Sequence, residues 1–234
     1  MGKQQQYNAL VKDRKNCRLC ENRYGMRNPA IIADGRYDQA VAIGPWSMWQ
    51  GSLEAKILVV GQDWGDEAAY LLDEGKSGLD DNVTDMNLIE LFKTMGIAVA
   101  HPRDGKQNPL LFFTNAVLCM KSGGLAAKIP NPVYTACANE FLKRLIEVIR
   151  PRIIITLGSK AYQRVTRLYG QELVQFTTLM NLIKDGYGPL IMPEKDELPA
   201  VVFLPAPQCG QYSTNTFMDL DNQKRIWSRL KKHI

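Results

Sequence analysis

Cysteines and a few polar residues just past apolar runs hold most of the chemistry this sequence can offer. Cys17 and Cys20 form a C-x-x-C pair, Cys119 and Cys137 have 17 residues between them, and Cys209 lies apart from both. An odd number of cysteines in a reducing compartment argues against a disulfide framework and toward metal or catalytic use. A lone C-x-x-C pair is shared by zinc sites, redox motifs and clusters. Asn115 follows the apolar run Leu110-Leu111-Phe112-Phe113, at the strand end where open α/β sheets place their ligands. Asp63 follows the run Ile57-Leu58-Val59-Val60 and is a candidate carboxylate for chemistry, with a helix N-cap as its plainer role.

The elements that must position these groups can be read from the same string. Continuous apolar runs at 57–60, 110–113, 153–157 and 201–204 are what a sheet covered on both faces requires. Between and around them the pattern predicts helices at 85–96, 131–149, 159–169 and 217–232, and a short helix within 1–24 that leads to the first cysteine pair. Residues 25–54 read as irregular. Trp46 and Trp49 within them are expected to cover the core, base stacking being the other use of such rings. Residues 61–67, Gly-Gln-Asp-Trp-Gly-Asp-Glu, form a tight turn that opens a helix and points backbone N–H groups above the sheet. The reading of 171–198 is ambiguous, and 205–210, Pro-Ala-Pro-Gln-Cys-Gly, is a stiff loop after the fourth strand. Strands alternating with helices predict an α/β fold, a three-layer α/β/α sandwich around a four-stranded parallel sheet. A single domain over 1–234 is expected, with 1–54 as an arm carrying the first cysteine pair.

The bulk numbers narrow the class. At 234 residues, 45% hydrophobic and 23% charged, the chain reads as an ordinary globular protein able to bury a core. The N-terminus has no apolar signal-peptide core and no run approaches a membrane span, so a cytoplasmic protein without a membrane partner is expected. A net charge of +5 hints mildly at an anionic partner. Lys12, Arg14, Lys15, Arg18 and Arg23 surround the first cysteine pair, and Lys224, Arg225, Arg229, Lys231 and Lys232 crowd the last helix. Either group is a solvated face or a phosphate-contacting one.

The segment Thr114-Asn-Ala-Val-Leu-Cys119, the Cys119–Cys137 spacing and the stretch 149–161, IRPRIIITLGSKA, resemble the uracil-DNA glycosylase superfamily, most closely its iron–sulfur members of families 4 and 5. With the turn at 61–65 the resemblance covers roughly residues 15–215. It implies that Cys17, Cys20, Cys119 and Cys137 ligate a structural [4Fe–4S] cluster. Four thiolates suit that cluster or zinc, and the resemblance favours iron. It implies too that Asn115 reads a pyrimidine, accepting from N3–H and donating to O4, with Gly61, Trp64 and Tyr70 also at the base. Asp63 would position water and stabilise the oxocarbenium-like sugar, the backbone around Gln62 would receive charge on the departing base, and Gln208 would donate to it.

The sequence departs from the family pattern in three places. Family 4 carries GEAPG and family 1 GQDPY, whereas this chain has the hybrid Gly61-Gln62-Asp63-Trp64-Gly65. The family's histidine loop after the fourth strand is replaced by Ala206-Pro207-Gln208, and the two histidines, His101 and His233, follow no core strand. Loss of one such donor typically costs about 3 kcal/mol of barrier, a hundredfold or more in rate. The family's stacking phenylalanine has no counterpart in 75–79, GKSGL, and Tyr70 would substitute.

The expected function is a DNA glycosylase-like protein that flips out a uracil or other deaminated or damaged base and hydrolyses its N-glycosidic bond in base excision repair. Its partner would be single- or double-stranded DNA, with the loop 208–213 pressed into the minor groove and no obligate protein partner. Two other readings stay open: a catalytically weak or inactive iron–sulfur nucleic-acid-binding module of the same fold, and a zinc-stabilised α/β protein unrelated to DNA.

Overall fold

A computed structural model describes residues 2–76, 82–124, 126–210, 213 and 218–234. Its centre is a mixed sheet with strand order β2-β1-β3-β5-β4, where β1 is Ile57–Gly61, β2 Leu111–Asn115, β3 Ile153–Leu157, β4 Leu190–Met192 and β5 Val201–Ala206. Every residue of β1, β2 and β3 is buried, which explains why these strands are unbroken apolar runs rather than alternating ones. Strands β1, β2, β3 and β5 pair in parallel. The sheet therefore has five strands, not four, and is not purely parallel. The fifth, β4, pairs antiparallel with β5 at the edge. It is three residues long and leaves Ile191 largely exposed, so it lacks the apolar run that marks the others.

Helices cover both faces of the sheet. In chain order they are α1 (Lys3–Asn16), α2 (Glu21–Tyr24), α3 (Pro45–Trp49), α4 (Glu67–Leu72), α5 (Val83–Thr94), α6 (Asn131–Cys137), α7 (Lys143–Ile149), α8 (Ser159–Leu168), α9 (Phe176–Lys184) and α10 (Leu220–Ser228). A π-helical turn, Ala138–Leu142, joins α6 to α7, so 131–149 runs as one helix with a bulge directly after Cys137. The expected helix at 217–232 begins, among the described residues, at Leu220.

Helix α5 and its C-cap turn most of their apolar residues, Leu91, Phe92 and Met95 among them, into the core. Leu88, Leu91 and Phe92 are fully buried, while Met86 is exposed. The inward stripe at i, i+3 and i+7 is therefore Asp85, Leu88 and Phe92, and it takes a carboxylate into the interior. Phe92 stacks on Phe113 of β2, with 5.6 Å between ring centroids, and meets Trp227 of α10 edge-on at 5.1 Å. Trp49 does belong to the core, edge-on to Phe113 and donating from its indole to the Ala100 carbonyl.

The N-terminal segment is fastened by charge. Arg14, 1% exposed, forms a two-point ion pair with Asp38 at 2.7 and 2.9 Å and also donates to the Ala42 carbonyl. Lys15 joins the same carboxylate at 2.9 Å. These two cations are thus structural rather than a solvated or phosphate-binding face. In α10, Arg225 and the adjoining Arg229 donate to the carbonyls of Lys184 and Ile183, tying this helix to α9.

Candidate active site

The turn after β1 and the loop after β2 build the site together. Beyond the strand ends their backbones stay in register: Ala116 N–H donates to the Gly61 carbonyl at 2.9 Å, Val117 to Gln62 at 3.1 Å, and Lys121 to Gly65 at 3.3 Å. This ladder carries the Lys121 side chain to Asp63. Asp63 Oδ1 accepts from the Gly65 N–H at 3.1 Å and lies 3.2 Å from the Lys121 ammonium, and Oδ2 accepts from the Tyr134 hydroxyl at 3.4 Å. Burial first, then the Asp63 charge and hydrogen bond, holds the Tyr134 phenol above its usual range and so keeps it a donor. Asp63 is not the cap of α4. That role falls to Asp66, which accepts from the Ala69 N–H at 2.8 Å.

A cavity of about 470 Å³ opens above these groups at the carboxyl ends of the strands. Gly61, Gln62, Asp63, Trp64, Tyr70 and Gln208, all singled out in the sequence, line it. Trp46 lines it too, edge-on to Trp64 with 5.6 Å between ring centroids, so this tryptophan is a wall of the cavity rather than plain core. The Tyr70 ring is 6% exposed and packs with Ile32 and Met120; among the described residues its buried hydroxyl has no partner. The expected stacking segment 75–79 and loop 208–213 lie partly outside the described residues.

Asn115 sits at the end of β2, paired in register with Gly61. It is 2% exposed, and among the described residues neither Oδ1 nor Nδ2 has a hydrogen-bond partner. It is not among the residues lining the open cavity. Its amide and the Trp46 ring occupy the space that a β-carbon on Gly61 would need, so only glycine fits at 61. A buried amide with both ends unsatisfied is costly and rare.

The Gln62 side chain is used locally. Its Oε1 accepts from the Lys160 N–H at 2.9 Å, at the start of α8. Gly158, at φ +90°, lies beneath both Gln62 and Gln208, and a β-carbon there would stand 2.8 Å from Gln62 Oε1 and 2.9 Å from Gln208 Cγ. Gln208 itself is exposed at the cavity.

Cys17, Cys20, Cys119 and Cys137 line one pocket beside the site, together with Arg14 and Arg18, and all four thiols are free. The thiols affect one another. Burial and then the neighbouring Cys17 and Cys20 push Cys119 up to about 12, and burial and then Cys119 hold Cys137 well above the ordinary thiol range. The Leu118 N–H donates to Cys137 Sγ at 3.3 Å. Among the described residues no three Cys, His, Asp or Glu side chains stand close enough to hold one metal ion. Cys209 is elsewhere, fully buried, 3.9 Å from Gln223 Oε1.

Lys121, Tyr134 and Asp85 had escaped the sequence reading. Lys121 is brought to Asp63 only by the loop register, and Asp85 lines the cavity from a helix whose face was assigned by its apolar residues. No helix among the described residues is long and apolar enough to cross a membrane. No curated protein matches the chain in sequence. A family model does match, over residues 48–231, which leaves Cys17 and Cys20 outside the matched stretch; it describes the uracil DNA glycosylase superfamily.

Proposed function

Because the chain belongs to the uracil DNA glycosylase superfamily, we propose that it flips a uracil or another deaminated or damaged base out of DNA and hydrolyses its N-glycosidic bond, a step of base excision repair. The observation that carries this reading is the setting of Asp63. One carboxylate oxygen is fixed by Gly65 and Lys121, while among the described residues the other takes only the long Tyr134 bond and keeps a lone pair for water. A carboxylate so anchored can hold a water against the sugar carbon and balance the positive charge that grows there as the base departs. The unsatisfied amide of Asn115, one strand over, offers an acceptor and a donor to N3–H and O4 of a pyrimidine.

Likeness to the iron–sulfur families 4 and 5 supports a [4Fe–4S] cluster on Cys17, Cys20, Cys119 and Cys137. All four donors are soft thiols around one pocket, which suits such a group. When bound, it would serve as a cross-link between the N-terminal segment, the loop after β2 and α6. Lys121 and Tyr134, the two side chains that hold Asp63, lie in the same loop and helix as Cys119 and Cys137. Ordering of the thiols and of the carboxylate are therefore coupled through short stretches of chain.

The test is a panel of single- and double-stranded oligonucleotides carrying uracil, hypoxanthine or xanthine, scored for abasic sites by alkaline strand cleavage. Cleavage at uracil by the wild type and its loss in Asp63→Asn are expected. No abasic site from any oligonucleotide, with a control glycosylase active under the same conditions, would overturn the reading. A brown protein with about four irons per chain supports the cluster, and a colourless, zinc-loaded one overturns it.

A further inference from the structure

We infer that Asp85 is the acid of this cavity, a carboxyl that donates a hydrogen bond to the departing base from the wall it shares with Gln208 and Cys209. This rests on the hydrolytic reading above and adds a residue to it. Asp85 is 2% exposed on the inward stripe of α5, yet it lines the cavity rather than the core. Among the described residues its Oδ2 is buried without a hydrogen-bond partner, and no cation forms an ion pair with it. A carboxylate in such a place is normally paired or capping a helix. Here Asn82 caps α5, accepting from the Thr84 N–H at 2.8 Å, and Asp85 is left for something else.

Its location bears on the chemistry missing from the loop after β5. That loop is pinned to α5, because Asn87 Nδ2 donates to the Cys209 carbonyl at 2.6 Å. The loop presents the neutral amide of Gln208, while its thiol, Cys209, is buried. Asp85 therefore brings to the same wall a carboxyl that can carry an acidic proton. Among the described residues the groups facing it are Asp73, at the end of α4, and Cys209. Lys76 lines the same cavity but is engaged by Glu74 at 3.2 Å, and across the cavity Lys121 is engaged by Asp63. On α10, which packs on α5, Lys224 reaches Glu90 instead. Burial and then the Asp73 charge push Asp85 up to about 7, so near neutral pH much of it retains its proton.

In the step itself the electron pair of the C1′–N bond leaves with the base. The Asp85 O–H hydrogen-bonds to the base oxygen on which the charge collects. Water forms the new bond to C1′ and passes its proton to Asp63. The free base then takes a proton from solvent, and Asp63 returns one, so that no net acid or base is consumed.

The experiment is single-turnover uracil release from a uracil oligonucleotide between about pH 5 and about pH 9, for the wild type, Asp85→Asn and Asp85→Ala. In the wild type the rate falls as pH rises past about 7. Asp85→Asn, which keeps an N–H donor but cannot ionise, loses that limb and stays within about tenfold of the low-pH wild-type rate. Asp85→Ala drops about 10²–10³-fold at every pH, as loss of one transition-state donor does. A limb that persists in Asp85→Asn, or an Asp85→Ala variant at the wild-type rate, overturns the assignment of Asp85 alone. A wild type that releases no base overturns the hydrolytic reading and this inference with it.

Discussion

Replacing Asn115 by valine should move stability and function in opposite directions. The side chain is 2% exposed, with both ends of its amide unbonded among the described residues, at the last position of a fully buried strand. An unsatisfied buried polar group costs about 1–3 kcal/mol, and valine is of similar size, favours strands and carries no polar atom. Asn115→Val is therefore expected to be more stable by about 1–3 kcal/mol, which in a chain this long raises Tm by roughly 2–12 °C. The same change removes a donor and an acceptor from the base. Losing two neutral hydrogen bonds at about 0.5–1.5 kcal/mol each slows uracil release by about five- to about 150-fold. Thermal denaturation and single-turnover release on the same preparations give both numbers. A variant that melts lower and releases uracil at the wild-type rate would refute the reasoning, because Asn115 would then be holding the fold and not reading a base.

Lys121→Met should slow base release at least tenfold, and in a double-mutant cycle with Asp63→Asn the two losses should be far from additive, since the residues share one ion pair. Asp38→Ala leaves the buried Arg14 guanidinium without its carboxylate and is expected to cost about 3–5 kcal/mol in denaturant unfolding, whereas Glu54→Ala, on the surface beside Lys3, should cost under about 1 kcal/mol. Asp85 has a folded-state pKa raised to about 7, so its contribution to stability is present in acid and lost as pH rises toward 7. Asp85→Asn should accordingly be more stable than the wild type at about pH 8, by up to about 4 kcal/mol, with the gap closing near pH 4. Gly158→Ala should lose more than about 1 kcal/mol of stability, because its left-handed backbone and the Gln62 and Gln208 side chains leave no place for a methyl group.

Strands β1, β2, β3 and β5 could be read directly because a covered sheet demands apolar side chains on both faces, and that demand is written as an unbroken run. Strand β4 left no such mark: three residues at a sheet edge with one face exposed satisfy no periodicity. The turn at 61–65 and Asn115 were recognisable because chemistry and fold ask for the same residues there. Lys121 was not, since only the backbone register between two loops brings it to Asp63. Asp85 was hidden for the opposite reason. Hydropathy turns a helix by its apolar residues, and a buried carboxylate on the inward stripe is what that rule rejects. Arg14 likewise looked like surface charge, and its partner Asp38 lies in a stretch with little regular structure to connect the two.

The central claim is that Asp63, held by Gly65, Lys121 and Tyr134, drives hydrolysis of a base–sugar bond in the cavity above β1. It is tested most directly by quantifying free uracil, separated chromatographically, after excess protein meets a uracil-containing single strand, for the wild type beside Asp63→Asn. The account predicts one uracil per oligonucleotide from the wild type and a rate at least about a hundredfold lower from the variant. Equal release by both proteins would contradict it.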